Sequence, residues 1–185
     1  MIYILSGVAK SGKSYLATKI LREKSIANFS TDYLMMSLAL GNPKLNIDYD
    51  ADDFLVAAQL EPYLFHLISA MARNGIDYLI EGVHFKPAFA RTLMDTFPGK
   101  IRVLYLGYHS VDPQAKLAEF RRFANVMENY WFRYYDDAAM TKLIGYLINA
   151  SKKYAEGAKN VNIPYIEITD IAKQADEIIS ELFQN

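Results

Sequence analysis

Cysteine is absent from the 185 residues. That excludes disulfides, cysteine-based zinc sites and a thiol nucleophile together, and it suits a reducing compartment. An excess of charge is missing too. Twenty Lys and Arg stand against 21 Asp and Glu, leaving a net charge of −1 and a pI near 6.3, so no basic field favours nucleic acid as a partner. No charged leader precedes the short apolar run at the start, and no apolar stretch approaches the roughly 18 residues a membrane span needs. Repeats and low-complexity tracts do not occur. These absences point to a soluble, cytoplasmic protein, and the length suits one domain over residues 1–185 with 52% apolar residues to build its core.

What is present begins at once. Ile2 to Leu5 is an apolar strand candidate that breaks into Ser6-Gly7-Val8-Ala9-Lys10-Ser11-Gly12-Lys13-Ser14. Gly7, four residues, Gly12, Lys13 and Ser14 match the phosphate-loop spacing G-x-x-x-x-G-K-[ST] without a gap. A chance match in a chain this long is about a one-in-a-hundred event, given glycine near 7% of average usage. Leu16, Ile20 and Leu21 then fall at core-facing spacing on a helix from about Gly12 to Glu23. The strand–loop–helix setting is therefore complete. In such a loop, Gly7, Val8, Ala9, Lys10, Ser11 and Gly12 supply a backbone whose N–H groups converge on phosphate oxygens at the positive end of the helix. Lys13 reaches the β- and γ-phosphates as a point charge, and the Ser14 hydroxyl is placed to ligate Mg²⁺.

Two carboxylates stand where strands are expected to end. Ser30-Thr31-Asp32 closes a short strand at 27–30 and precedes the helical pattern Tyr33 to Leu38. Asp32 reads either as a helix cap or as a carboxylate at the ligand-binding edge of an open sheet, where it can orient metal-bound water or take a hydroxyl proton. Tyr78-Leu79-Ile80 forms the next strand and ends in Glu81-Gly82-Val83-His84. Because Ile80 stands before Glu81, the acidic pair that many motor-like ATPases keep there is not apparent. Glu81 reads as a holder of metal-bound water or of a substrate hydroxyl, and His84 as a contact for an anionic substrate; a loop salt bridge or cap is the plainer alternative for both. Asn46 to Asp53 reads as a flap, the chain from Asp53 up to the Asn74-Gly75 stop as a long helix kinked or restarted at Pro62, and His66 as a packed residue of that helix.

Further strands follow at 101–108 and 164–168, each bounded by helical patterns. Five strands alternating with helices imply a mostly parallel sheet covered on both faces. After the fourth strand, Lys116, Arg121, Arg122 and Arg133 lie among aromatic residues, including Phe120, Tyr130, Trp131, Phe132 and Tyr135. Guanidinium groups brought over a transferring phosphoryl group stabilise its charge, so about 112–137 reads as a helical lid; solvated arginines on an amphipathic helix are the alternative.

The set of Gly7 to Ser14, Ser30-Thr31-Asp32, Glu81 to His84 and the arginines after the fourth strand resembles the P-loop small-molecule kinases, and within them the branch of 2-phosphoglycerate kinase, zeta toxins and chloramphenicol phosphotransferase. The resemblance implies a three-layer α/β fold, a five-stranded parallel sheet in the order 2-3-1-4-5, and ATP with Mg²⁺. It also implies Lys13 and Ser14 on the nucleotide, Asp32 near the hydroxyl of a small acceptor, and Arg121 or Arg122 in the lid. A nucleotide-binding or hydrolysing regulatory module without an acceptor is the competing expectation.

Overall fold

The computed structural model describes residues 1–123 and 134–184. Its centre is strand β1 (Ile2–Gly7), every residue of which is buried. Alternation along β1 sorts its side chains between two cores, as a pleated strand requires. Ile2 and Ile4 face one core and Tyr3 and Leu5 the other. Four strands join it in parallel: β2 (Ala27–Ser30), β3 (Tyr78–Glu81), β4 (Ile101–Gly107) and β5 (Tyr165–Glu167), in the order β2-β3-β1-β4-β5. This is the expected three-layer α/β sheet, in the order the family resemblance implied.

Helices α1 (Lys13–Lys24) and α7 (Ile171–Phe183) cover the Tyr3 and Leu5 face through Leu16, Ile20, Ala175, Ile178 and Leu182. The opposite face carries α3 (Asp53–Met71), α4 (Pro87–Thr96) and α6 (Asp137–Asn160), with Leu60, Leu64, Ile68, Leu93, Ile144 and Tyr154 in its core. Helix α2 (Thr31–Gly41) and helix α5 (Pro113–Phe123) complete the set. The edge strands are short, with four and three residues, which leaves little unpaired backbone for another chain to join.

Several expectations change. Pro62 sits inside a continuous 19-residue α3 rather than restarting it. By length and composition α3 could cross a bilayer, contrary to the reading that no stretch comes near; its Leu60, Leu64 and Ile68 stripe is instead spent in the core. His66 is exposed on α3, edge-on to Phe65, rather than packed. The segment read as a flap is anchored by Ile47, which is buried in the core.

Candidate active site

Strand register sets the site. Parallel pairing puts Leu5 and Ser30 both opposite Glu81, and Gly7 opposite Leu106, so the carboxyl ends of β1 to β4 form one edge. The phosphate loop leaves from the middle of that edge. Gly7 has φ 119°, and a side chain there would run into the Leu106 carbonyl, so only glycine lets the loop turn this close to β4. Val8 N–H donates to Leu106 O at 3.1 Å, and the buried Tyr108 hydroxyl donates to Ala9 O at 2.7 Å. Lys10 also takes positive φ, at 60°, and Gly12 with φ 89° caps α1. The loop is thus clamped from behind before any ligand arrives.

Lys13 is buried and folds over the loop, donating to Val8 O at 2.7 Å and Gly7 O at 3.3 Å. Burial pushes its pKa down, while the carboxylates of Glu81, Asp32 and Asp53 pull it back up. Those three acids come from different elements, α3, β3 and the first turn of α2. Burial lowers Lys10 as well, against the opposing pull of Asp32.

Ser14, on the first turn of α1, donates its hydroxyl to Glu81 Oε1 at 3.2 Å. A hydroxyl and a carboxylate side by side at the mouth of a phosphate loop are hard oxygen donors, the chemistry that Mg²⁺ accepts when phosphates supply the rest of its shell. The residues present fit that ion.

Asp32 is not the cap of α2. Ser30 is, accepting the Asp32 N–H at 3.4 Å, and the helix begins two residues earlier than the apolar pattern suggested. The Asp32 carboxylate is largely exposed at the helix entry, 3.8 Å from His84 Nδ1. His84 itself is buried, with Nδ1 2.7 Å from Thr31 Oγ1. Burial pushes its pKa down to about 4, against the pull of Asp32, so at neutral pH the ring is uncharged. It tethers the end of β3 to the start of α2, helped by Gly82, whose missing side chain leaves room for Thr31.

No protein-family model matches the chain. A 2-phosphoglycerate kinase from Pyrococcus horikoshii is 23% identical over 120 residues, 64% of this chain and 35% of that protein, so the match spans about a third of the relative's length. Two solved structures match across nearly the whole chain. A gluconokinase from Sinorhizobium meliloti 1021 gives a TM-score of 0.59 at 16% identity, covering 98% of this chain and 90% of that one. A shikimate kinase from Bacteroides thetaiotaomicron gives 0.60 at 12%, covering 100% and 99%. The chain has the fold of the P-loop small-molecule kinases.

Within this kinase fold the structure adds a residue that sequence reasoning missed. Asp53 opens α3, beyond the cap Asp52, whose Oδ1 accepts the Phe54 N–H at 2.9 Å. The Tyr146 hydroxyl, from α6, accepts the Asp53 N–H at 3.4 Å and donates to Asp52 Oδ2 at 3.1 Å. Burial raises the Asp53 carboxyl to about 6, opposed by Lys13 and reinforced by Asp52 and Asp32. An Asp-Asp pair before an apolar helix signals a cap; which acid caps and which faces Lys13 is not in the spacing.

The arginines stand apart from this constellation. Arg121 donates to Asp137 Oδ1 and to Tyr135 O, both at 2.8 Å, which ties α5 to the start of α6. Arg122 is exposed on the next position. Lys116 is buried, bonded to Glu119 and seated 4.2 Å from the Tyr108 ring centre. Arg133, Tyr130, Trp131 and Phe132 lie outside the described residues. His109 supports its loop through Glu167, 2.7 Å away. A cleft between Met1, Ile2, Met71, Arg73, Ile76 and Lys100 lies at the amino-terminal ends of the strands, the far side of the sheet from this chemistry.

Proposed function

We propose that the protein is a kinase that transfers the γ-phosphoryl group of ATP to a hydroxyl of a small metabolite. The observation that carries this reading is the phosphate loop itself, with Lys13 folded onto Gly7 O and Val8 O and Ser14 donating to Glu81 at the end of the neighbouring strand. A loop that only bound a nucleotide would need no uncommitted carboxylate in front of it. Here Ser30 caps α2 in place of Asp32, whose carboxylate is largely exposed at the end of β2, the edge from which the phosphate loop also leaves.

The chemistry follows from that placement. The acceptor oxygen forms a bond to the γ-phosphorus as the bond to the β–γ bridging oxygen breaks. The electron pair leaves with ADP, and the hydroxyl proton passes to Asp32. Lys13 and the loop N–H groups hold the charge that spreads over the phosphate oxygens. Ser14 and Glu81 would hold Mg²⁺, which neutralises phosphate charge when bound. Arg121 or Arg122 supplies a guanidinium, and Arg121 must leave Asp137 to do so.

The test is ADP release measured across a panel of hydroxylated metabolites. One acceptor should stimulate release, and Asp32→Asn should lower that stimulated rate about 10²- to 10⁴-fold while ATP·Mg²⁺ still raises the melting temperature. ADP release indifferent to every acceptor would identify a hydrolysing module instead.

A further inference from the structure

One buried side chain reaches the phosphate loop from far along the chain. Tyr108, the first residue after β4, is fully buried, and its hydroxyl donates to Ala9 O at 2.7 Å, across 99 positions of sequence. Two helices hold it there. Its backbone N–H donates to Ser151 Oγ on α6 at 2.6 Å, and its ring carries the Lys116 ammonium of α5, 4.2 Å from the ring centre. Lys116 is itself buried, 5.2 Å from the Phe120 ring centre and bonded to both oxygens of Glu119 at 3.1 Å. Burial, reinforced by the Glu119 carboxylate, holds the Tyr108 phenol well above its usual range, so across neutral pH the hydroxyl keeps its proton and donates.

This contact sets which way a loop peptide faces. The described peptide bonds are all trans, so a carbonyl and the N–H that follows it point to opposite sides. The peptide before Val8 illustrates this: its N–H donates to Leu106 O at 3.1 Å, while the Gly7 carbonyl is turned onto Lys13 Nζ at 3.3 Å. The next such pair runs the other way round. The Ala9 carbonyl is turned to Tyr108, so the Lys10 N–H is directed away from Tyr108. Lys10 takes φ 60°, in the left-handed region that a side chain enters only against a steric cost, and the bond to Ala9 O helps to offset that cost.

We propose that Tyr108 is a positioning residue for nucleotide binding: its hydroxyl holds the Ala9 carbonyl back so that the Lys10 N–H faces the phosphates of ATP, and Lys116 supports it from α5. The inference rests on the kinase reading above, in that it takes the loop as the phosphate site. A cation over the face of a phenol ring draws electron density from it and makes the hydroxyl a stronger donor. Without that hydroxyl the Ala9–Lys10 peptide loses its restraint and can turn over, which presents a carbonyl oxygen to the phosphates in place of a donor. A support that fixes a backbone donor beforehand removes this rearrangement from the cost of binding.

The experiment measures the dissociation constant of ATP·Mg²⁺ by isothermal titration calorimetry, with the melting temperature of each protein taken without nucleotide. It compares the full chain, Tyr108→Phe, which keeps the ring and its packing, Lys116→Met, and the double variant. Tyr108→Phe should weaken ATP·Mg²⁺ about tenfold, the scale of one hydrogen bond lost from the support of the site. Lys116→Met should weaken it about threefold. In the Tyr108→Phe background it should weaken binding no further, because both side chains act through one hydroxyl. A merely structural Tyr108 lowers the melting temperature and leaves the dissociation constant where it was, and that result overturns the inference. A Lys116→Met effect of equal size in both backgrounds overturns the Lys116 half of it. The kinase reading fails separately: if ATP·Mg²⁺ binds but no hydroxylated compound stimulates ADP release, that reading is lost, while a weakened Tyr108→Phe still supports the positioning role. If the parent chain does not bind ATP·Mg²⁺, both fall.

Discussion

At the scale of single residues, the site is a contest over one ammonium. Lys13 gives up water to lie against the carbonyls of Gly7 and Val8, and the acids around it keep the charged form accessible. A γ-phosphate would replace those carbonyls as a stronger, charge-assisted partner. Lys13→Ala should therefore lower phosphoryl transfer by about a hundredfold or more, as loss of a transition-state donor does, with the far-ultraviolet circular dichroism unchanged. Ser14→Ala probes a different group. It removes the hydroxyl beside Glu81 and should raise the Mg²⁺ needed for half-maximal rate about tenfold, in line with the loss of one contact to the ion. A magnesium titration that is identical in the variant and the parent would exclude Ser14 as a ligand.

At the scale of elements, the ends of β2 and β3 are locked by contacts that bypass the sheet. Thr31 Oγ1 meets His84 Nδ1, and Gly82 must be glycine because φ is 155° and a side chain there would collide with the Thr31 hydroxyl. Gly82→Ala should destabilise the protein by about 2–4 kcal/mol, combining overpacking with a backbone that L residues avoid. Adding Thr31→Ala should recover part of that loss, because the colliding oxygen is gone and only the backbone strain remains. Equal losses in the single and double variants, read from urea unfolding, would mean the collision is relieved elsewhere. Helix entry is legible here only in part. Ser30-Thr31-Asp32 marks a cap, but choosing Ser30 over Asp32 needs the hydrogen bond itself. That choice decides whether Asp32 is structural or chemical.

At the scale of the whole molecule, the half-buried Asp53 and the buried His84 make opposite demands on pH. Burial raises the Asp53 carboxyl from 3.8 to about 6, so the folded chain holds that proton more tightly than the unfolded one. Stability from this group falls as pH rises across that window. Burial lowers His84 from 6.5 to about 4, so the unfolded chain takes up its proton first, and stability falls as pH drops through that range. The two effects oppose each other between about pH 4 and 6 and flatten the profile there. Asp53→Asn should unmask the histidine. Without nucleotide, the variant should melt about 2–6 °C above the parent at pH 7.5 and lose that advantage by pH 4, giving a steeper acid limb. Parallel melting curves across the range would show that Asp53 titrates normally.

The sequence by itself determined whatever depends on neighbours along the chain. The spacing from Gly7 to Ser14 specifies a phosphate cradle because consecutive N–H groups and a helix start are local geometry. The apolar run Ile2 to Leu5 and the helical spacing of Leu16 and Ile20 specify a covered strand and its helix because burial follows the period of each element. Only the tertiary structure decided what meets what. Glu81 reaches Ser14 across 67 positions, and Tyr108 reaches Ala9 across 99. Ser30 lies opposite Glu81 because β2 and β3 pair in parallel, a consequence of sheet order that no spacing records. The same holds for His84, whose basic side chain suggests a charge until burial removes it. Charge, unlike helical period, is a property of surroundings, and the surroundings of a site are assembled from distant parts of the chain.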